Sequence, residues 1–255
     1  MRNPLRCRPR LRIAAGGIGV ATLALGACSS TMGAPEPVSE QGSAMTDTWR
    51  VFLVGAILVA GLVWGLVLWS VVRFRRGRHD DDIPRQRQYN IGLEALYTVV
   101  PVLIVAGLFA LTVVNVDRLN GATSAPELTV QVVGFQWQWQ FQYVDQDVTV
   151  NGTESVRPVL VLPVGRTVRF ELEAADVIHS FWVPEFLTKR DLIPGLHNSI
   201  EVEVTQEGEW VGRCAEYCGF DHWRMAFDVR AVPADEFDQW LADARGAPQP
   251  ILGAL

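Results

Sequence analysis

The sequence predicts a pair of membrane-crossing helices followed by an all-β external domain of sandwich or barrel type. Three observations carry that reading. Two apolar blocks, Val51–Val72 and about Ile91–Val116, are each long enough to cross a bilayer. Six arginines (Arg73, Arg75, Arg76, Arg78, Arg85 and Arg87) lie between them. Beyond about residue 125 no spanning block recurs, and short segments of alternating apolar and polar residues follow, separated by Gly and Pro.

Bulk composition narrows the class. The chain has 255 residues, a formal charge of −6 and a hydrophobic fraction of 49%. A disordered chain would be less apolar, and a nucleic-acid binder would carry a basic excess. Four cysteines are too few for a small disulfide scaffold in a chain of this length.

The N-terminus carries Arg2, Arg6, Arg8, Arg10 and Arg12 and no acidic residue, followed by the apolar run Ile13–Ala27. That is the layout of a secretory signal peptide over residues 1–27. It ends Leu25-Gly26-Ala27-Cys28, which resembles a bacterial lipobox with Cys28 as the lipidated first residue of the mature chain. The plain alternative is an ordinary signal peptide with an incidental cysteine. Residues 28–48, with Pro35, Pro37 and several Ser and Gly, read as a tether.

The membrane hairpin is expected over residues 49–118. Trp49 and Trp69 lie near the ends of its first block, as interfacial aromatics do. The second block holds one charge, Glu94, and one proline, Pro101. The arginine-rich connection belongs in the cytoplasm by the positive-inside rule, so both hairpin ends face outward. This agrees with the secretory leader and places the chain in a bacterial plasma membrane with its C-terminal domain outside.

The external domain is expected over residues 119–245, with a tail at 246–255. Strand signals cover Leu128–Val133, Gln136–Tyr143, Val159–Leu162, Arg166–Leu172, Ser199–Val204, Trp210–Cys214 and Met225–Val229. A short closing helix runs from Asp235 to Arg245, with Phe237, Trp240 and Leu241 on one side.

Each cysteine has a different setting. Cys7 lies in the leader and Cys28 at its end, which leaves Cys214 and Cys218 in the external domain. In an oxidising compartment a disulfide between these two is one reading. The other treats Cys214-Ala215-Glu216-Tyr217-Cys218-Gly219-Phe220-Asp221-His222-Trp223-Arg224-Met225 as a ligand set, with His179 supplied from earlier in the chain. Thiolates, imidazoles and a thioether suit copper, and two thiolates can bridge two copper ions. A zinc Cys₂His₂ site is a third reading, but it leaves Met225 unexplained.

This Cys-x-Glu-x-Cys-Gly-x-x-His-x-x-Met pattern, with an upstream His-Ser, resembles the dinuclear copper motif of the cytochrome c oxidase subunit II family. Three further segments resemble that family in the same order. They are Leu93-Glu94-Ala95-Leu96-Tyr97-Thr98-Val99-Val100-Pro101, the aromatic run Gly134–Tyr143, and Asp191-Leu192-Ile193-Pro194-Gly195. The resemblance implies a cupredoxin-like Greek-key domain. It implies that Cys214 and Cys218 bridge two coppers, that His179 and His222 complete them, and that Met225 and the backbone oxygen of Glu216 are weak axial donors. It further implies that the Glu216 carboxylate reaches a magnesium ion shared with subunit I. Trp137 would be the electron-input residue and Glu94 the mouth of a proton-uptake route. The implied partners are oxidase subunit I and the other oxidase subunits, cytochrome c or the c-type cytochrome of a bc complex, and membrane lipid. No nucleic acid is implied.

Plainer readings stand beside these. Trp137, Trp139, Phe141 and Tyr143 fall at period two, as the apolar face of one strand would. Glu94 would then be a snorkelling interfacial carboxylate and Glu216 an exposed loop residue. The chain also departs from the family at Phe135, where His is usual, at Gln138, where an aromatic is usual, and at Leu196, where a basic residue is frequent. His197 and His79 lack ligand patterns, and Asn151-Gly152-Thr153 reads as a turn.

The functional expectation is therefore the electron-input subunit of a haem–copper oxidase. The related alternative is the copper-bearing subunit of a nitric-oxide or nitrous-oxide reductase. A copper-carrier or assembly lipoprotein is the alternative of a different class. Removing the five leader arginines takes the formal charge from −6 to −11, and all of that excess falls on residues 117–255. Such a head would steer a basic donor.

Overall fold

The computed structural model describes residues 31, 33–75, 86–120 and 125–245. The expected leader, Cys28, most of the arginine-rich connection with His79, and the tail at 246–255 lie outside the described residues. Residues 37–255 form one unit, to which the following applies.

Helix α1 (Glu40–Arg73) begins ahead of the expected residue 49, so the last part of the expected tether is helical. The cause is local. Ser39 is the N-cap, its Oγ accepting the Gly42 N–H at 3.0 Å, and Glu40 sits favourably in the first turn. The Thr46 hydroxyl donates back to the Gly42 carbonyl, so a polar residue satisfies itself within the helix. At 34 residues α1 is roughly 50 Å long, against about 30 Å of hydrocarbon. The surplus at its start seats on the β-domain. The Val38 N–H donates to Glu185 O at 3.2 Å, the Thr205 N–H donates to Val38 O at 2.9 Å, and Ser39 pairs with Val204.

Helix α2 (Ile91–Asn120) runs through Pro101. Its start is capped reciprocally: Asn90 Oδ1 accepts the Leu93 N–H at 3.2 Å, and Glu94 Oε1 accepts the Asn90 N–H at 2.9 Å. Asn115 Nδ2 donates to Thr48 Oγ1 at 2.9 Å, joining α2 to α1. Both helices are long and apolar enough to cross a membrane, with peak mean hydropathy of 2.7 and 2.5.

Ten strands are present among the described residues: β1 (Leu128–Phe135), β2 (Gln138–Tyr143), β3 (Val148–Asn151), β4 (Val159–Pro163), β5 (Thr167–Ala174), β6 (His179–Val183), β7 (Thr188–Leu192), β8 (Asn198–Glu203), β9 (Gly208–Cys214) and β10 (Ala226–Val232). One sheet has the order β3-β2-β1-β5-β8, the other β4-β10-β9-β6-β7. The ladders are antiparallel except β1–β5 and β4–β10. The chain thus forms the expected membrane helical hairpin with a cupredoxin-like β-sandwich. Helix α3 (Ala234–Arg245) buries Phe237 and Leu241 against it.

Alternating burial along β1, β2 and β5 puts one apolar face of that sheet into the core. Trp139, Phe141, Tyr143, Phe170 and Phe227 are fully buried there. Phe227 sits at the centre, stacked on Phe181 at 5.2 Å and edge-on to Trp139 at 5.3 Å and Phe141 at 5.2 Å. Three strands lie outside the sequence-derived set. β3 is short, β7 is polar (Thr-Lys-Arg-Asp-Leu), and β6 is buried at four of five positions, so it shows no alternation to read. The expected strand at Gln136 starts two residues later, because Gln136 and Trp137 make the turn between β1 and β2.

Candidate metal centre

Four chain segments converge at one end of the sandwich: the start of β6, the loop from β9 to β10, the β1–β2 turn and the loop before β6. His179 opens β6 and is fully buried. Gly134 makes room for it, since a Cβ there would lie 3.2 Å from two carbons of the imidazole. The loop is closed at its base by the Cys214 N–H donating to Met225 O at 2.9 Å, and is tied to β6 by the Ala215 N–H donating to Ser180 O at 3.1 Å.

Within this frame the soft donors cluster. Cys214 Sγ and Cys218 Sγ are 3.8 Å apart and both thiols are free, so the disulfide reading does not describe this structure. His179 Nδ1 lies 3.9 Å from Cys214 Sγ, and His222 Nδ1 lies 3.5 Å from Cys218 Sγ. Met225 Sδ is 3.7 Å from Cys218 Sγ, and the Glu216 carbonyl oxygen is 3.2 Å from Cys214 Sγ. The ligand atoms of His179, Cys214 and Cys218 all fall within 4.8 Å of one another. The fold therefore gathers all six donors that the sequence suggested, and each sulfur is faced by one imidazole nitrogen. This donor set fits a soft or borderline metal.

Electrostatics sharpen the arrangement. Burial pushes the Cys214 thiol up, but hydrogen bonds with His179, with the backbone of Glu216 and Ser180, and with His222 together outweigh that and bring the group down to about 7. Burial, and then the charge of Cys214, pushes Cys218 up to about 12. His179 is held above its usual range: burial opposes its charge, and hydrogen bonds with Cys214 and Asp176 overcome that opposition. Asp176 Oδ1 lies 2.8 Å from His179 Nε2, leaving Nδ1 for the sulfur side. Sequence reasoning missed Asp176. Its signal was its position three residues before His179, on a turn short enough to bring the carboxylate back to the ring.

The other expected residues fall at different distances from the cluster. Trp137 is half-buried at the β1–β2 turn, and its Nε1 donates to Cys218 O at 3.3 Å. Trp139, Phe141 and Tyr143 are core residues, so the period-two reading holds for them. Glu216 is exposed. Glu94 is engaged in the α2 cap. His197 is exposed. Tyr217, Phe220 and Trp223 make an apolar rim beside the cluster at 76%, 84% and 78% exposure.

Two helices of membrane-crossing length and a β-sandwich holding a cysteine–histidine–methionine cluster define a class: helix-anchored β-sandwich proteins with a soft-donor candidate metal site. A family profile described as cytochrome c oxidase subunit II, periplasmic domain, matches residues 148–232. The chain is 38% identical to a probable cytochrome c oxidase subunit 2 of Streptomyces avermitilis, over 95% of this chain and 88% of that protein. It is 32% identical to cytochrome c oxidase subunit 2 of Mycobacterium tuberculosis, over 94% and 83%. A solved structure, the periplasmic domain of subunit II of cytochrome oxidase of Bradyrhizobium japonicum, is 31% identical over 49% of this chain and 97% of that one, with a TM-score of 0.45. The chain belongs to the cytochrome c oxidase subunit II family.

Proposed function

We propose that the chain is the electron-input subunit of a haem–copper terminal oxidase. In this reading it takes single electrons from a c-type cytochrome and delivers them to haem in subunit I, where dioxygen is reduced and protons are translocated. The donor set supports this most: two cysteine sulfurs 3.8 Å apart, each faced by an imidazole nitrogen, with one thioether and one carbonyl beside them. The residues that would hold a copper pair are His179, Cys214, Cys218, His222, Met225 and the backbone of Glu216. When bound, the pair supplies a one-electron carrier whose unpaired electron is shared over both ions.

The chain's own residues prepare that site. Burial of Cys214, Cys218 and Met225 keeps water from the sulfurs. Asp176 selects the His179 nitrogen that faces them. Trp137 supplies a π-system between the surface and the Cys218 carbonyl. The exposed Glu216 carboxylate is available to a magnesium ion shared with subunit I, and Glu94 to a proton-uptake route. The acidic head would accelerate encounter with a basic donor in a salt-sensitive way. Cleavage after Ala27 and lipidation of Cys28 would give the head a second attachment to an extracytoplasmic membrane face.

Metal content of the full chain in detergent tests the reading: two coppers per chain are expected, and zinc alone or no bound metal overturns it. In the assembled oxidase, Trp137→Phe should slow donor oxidation at unchanged copper content. Unaltered donor oxidation would remove Trp137 from the route.

A further inference from the structure

Gln136 occupies the exposed β1–β2 turn, yet both of its amides are engaged. Its Nε2 donates to Cys218 O at 2.7 Å, the same oxygen that accepts from Trp137 Nε1 at 3.3 Å. Its backbone N–H donates to Asp176 Oδ2 at 2.7 Å, while the other oxygen of that carboxylate holds His179. The two-residue turn is thus tied to a cysteine on one side and to an imidazole on the other. Gly219 permits this. Its φ is +123°, and a Cβ there would stand 3.0 Å from Gln136 Nε2 and 3.1 Å from Trp137 Nε1.

We infer that Gln136 is a positioning residue of the electron-input site: with Trp137 it clamps the Cys218 carbonyl, fixing the indole against the ligand loop and biasing the centre toward its reduced form. The inference rests on the copper reading proposed above. The physical reason is the direction of the dipoles. Two N–H groups aim their positive ends at the carbonyl of a ligand residue, in a region partly shielded from water. An added electron is stabilised by that field, and removing a donor weakens it. The shared Asp176 makes the clamp stiff, because the turn cannot shift without also moving the partner of His179.

The test uses the full chain in detergent, loaded with copper. Gln136→Met keeps the side-chain length and removes the donor. Copper content and the paramagnetic spectrum should stay as in the wild type. The equilibrium with a redox mediator should shift toward the oxidised centre by roughly two- to tenfold, the range expected for one hydrogen bond. Gly219→Ala, which displaces both donors, should shift it the same way and further. In the copper-free chain, exchange of the Trp137 indole proton should quicken in both variants. An unchanged mediator equilibrium in both variants, with a normal copper spectrum, would overturn the inference. Absence of a two-copper spectrum in the wild type would instead remove the reading on which it rests.

Discussion

Asp176 and His179 meet at 2.8 Å, carboxylate Oδ1 to imidazole Nε2, and that contact decides which ring nitrogen faces the sulfurs. The carboxylate is held in turn by the backbone N–H groups of Gln136 and Val177. Asp176→Ala should therefore leave the fold intact and weaken copper binding by about 10–100-fold. Asp176→Asn, which keeps an acceptor, should lose less. Competition titration against a chelator of known affinity reads both, and equal affinity for all three proteins would show that packing alone holds the ring.

Asp191 carries a second brace. Its Oδ1 accepts from Lys189 Nζ at 2.8 Å and from the buried Ser180 Oγ at 2.7 Å, directly beside His179 in sequence. These bonds, Lys189 foremost, hold its carboxyl below the usual range. A depressed folded-state value means that the stabilisation is present above the unfolded value, near 4, and is lost as pH falls through the lower folded one. The thermal midpoint of the wild type should drop on acidification below about pH 4, and Asp191→Asn should make that part of the profile flatter. Superimposable pH profiles would rule the brace out.

The Tyr143 hydroxyl is buried between backbone groups of one residue, donating to Val161 O at 2.8 Å and accepting the Val161 N–H at 2.9 Å. Burial pushes its ionisation well above the ordinary tyrosine range, so it stays a neutral donor and acceptor. Tyr143→Phe strands both backbone groups and should cost about 1–3 kcal/mol in denaturant unfolding. The copper spectrum should not change, because the ring lies in the core and not among the donors.

These cases show what the sequence made readable. Regular alternation in β1, β5 and β8 reports burial directly, and the long uncharged runs of α1 and α2 report surfaces suited to lipid. The six donors were legible because the loop concentrates soft ligands at fixed spacing and a single His-Ser precedes it. Asp176 and Gln136 were not legible, since an Asp and a Gln in polar turns look alike whether or not they hold a ligand. Only the return of the Asp176 carboxylate to His179 Nε2, and the close approach of the β1–β2 turn to the Cys218 carbonyl, give them a role. The early start of α1 was hidden for a similar reason: Gly42, Thr46 and Thr48 are weak helix formers, and the cap of Ser39 and its pairing with Val204 outweigh that preference.

Glu94 separates two roles by one substitution. Its Oε1 caps α2 through the Asn90 N–H, which a glutamine can also do but an alanine cannot. If Glu94 relays protons, Glu94→Gln in the assembled oxidase should slow turnover as much as Glu94→Ala does, at unchanged copper content. Turnover that is normal in Glu94→Gln and reduced only in Glu94→Ala would assign the residue to the cap alone.

The central claim is that Cys214 and Cys218 bridge a copper pair. Electron paramagnetic resonance of the copper-loaded full chain tests it most directly. One unpaired electron shared equally over two copper nuclei is the predicted spectrum, lost when either cysteine is replaced by serine. A spectrum of a single isolated copper, or no copper signal with zinc bound in its place, would contradict the account.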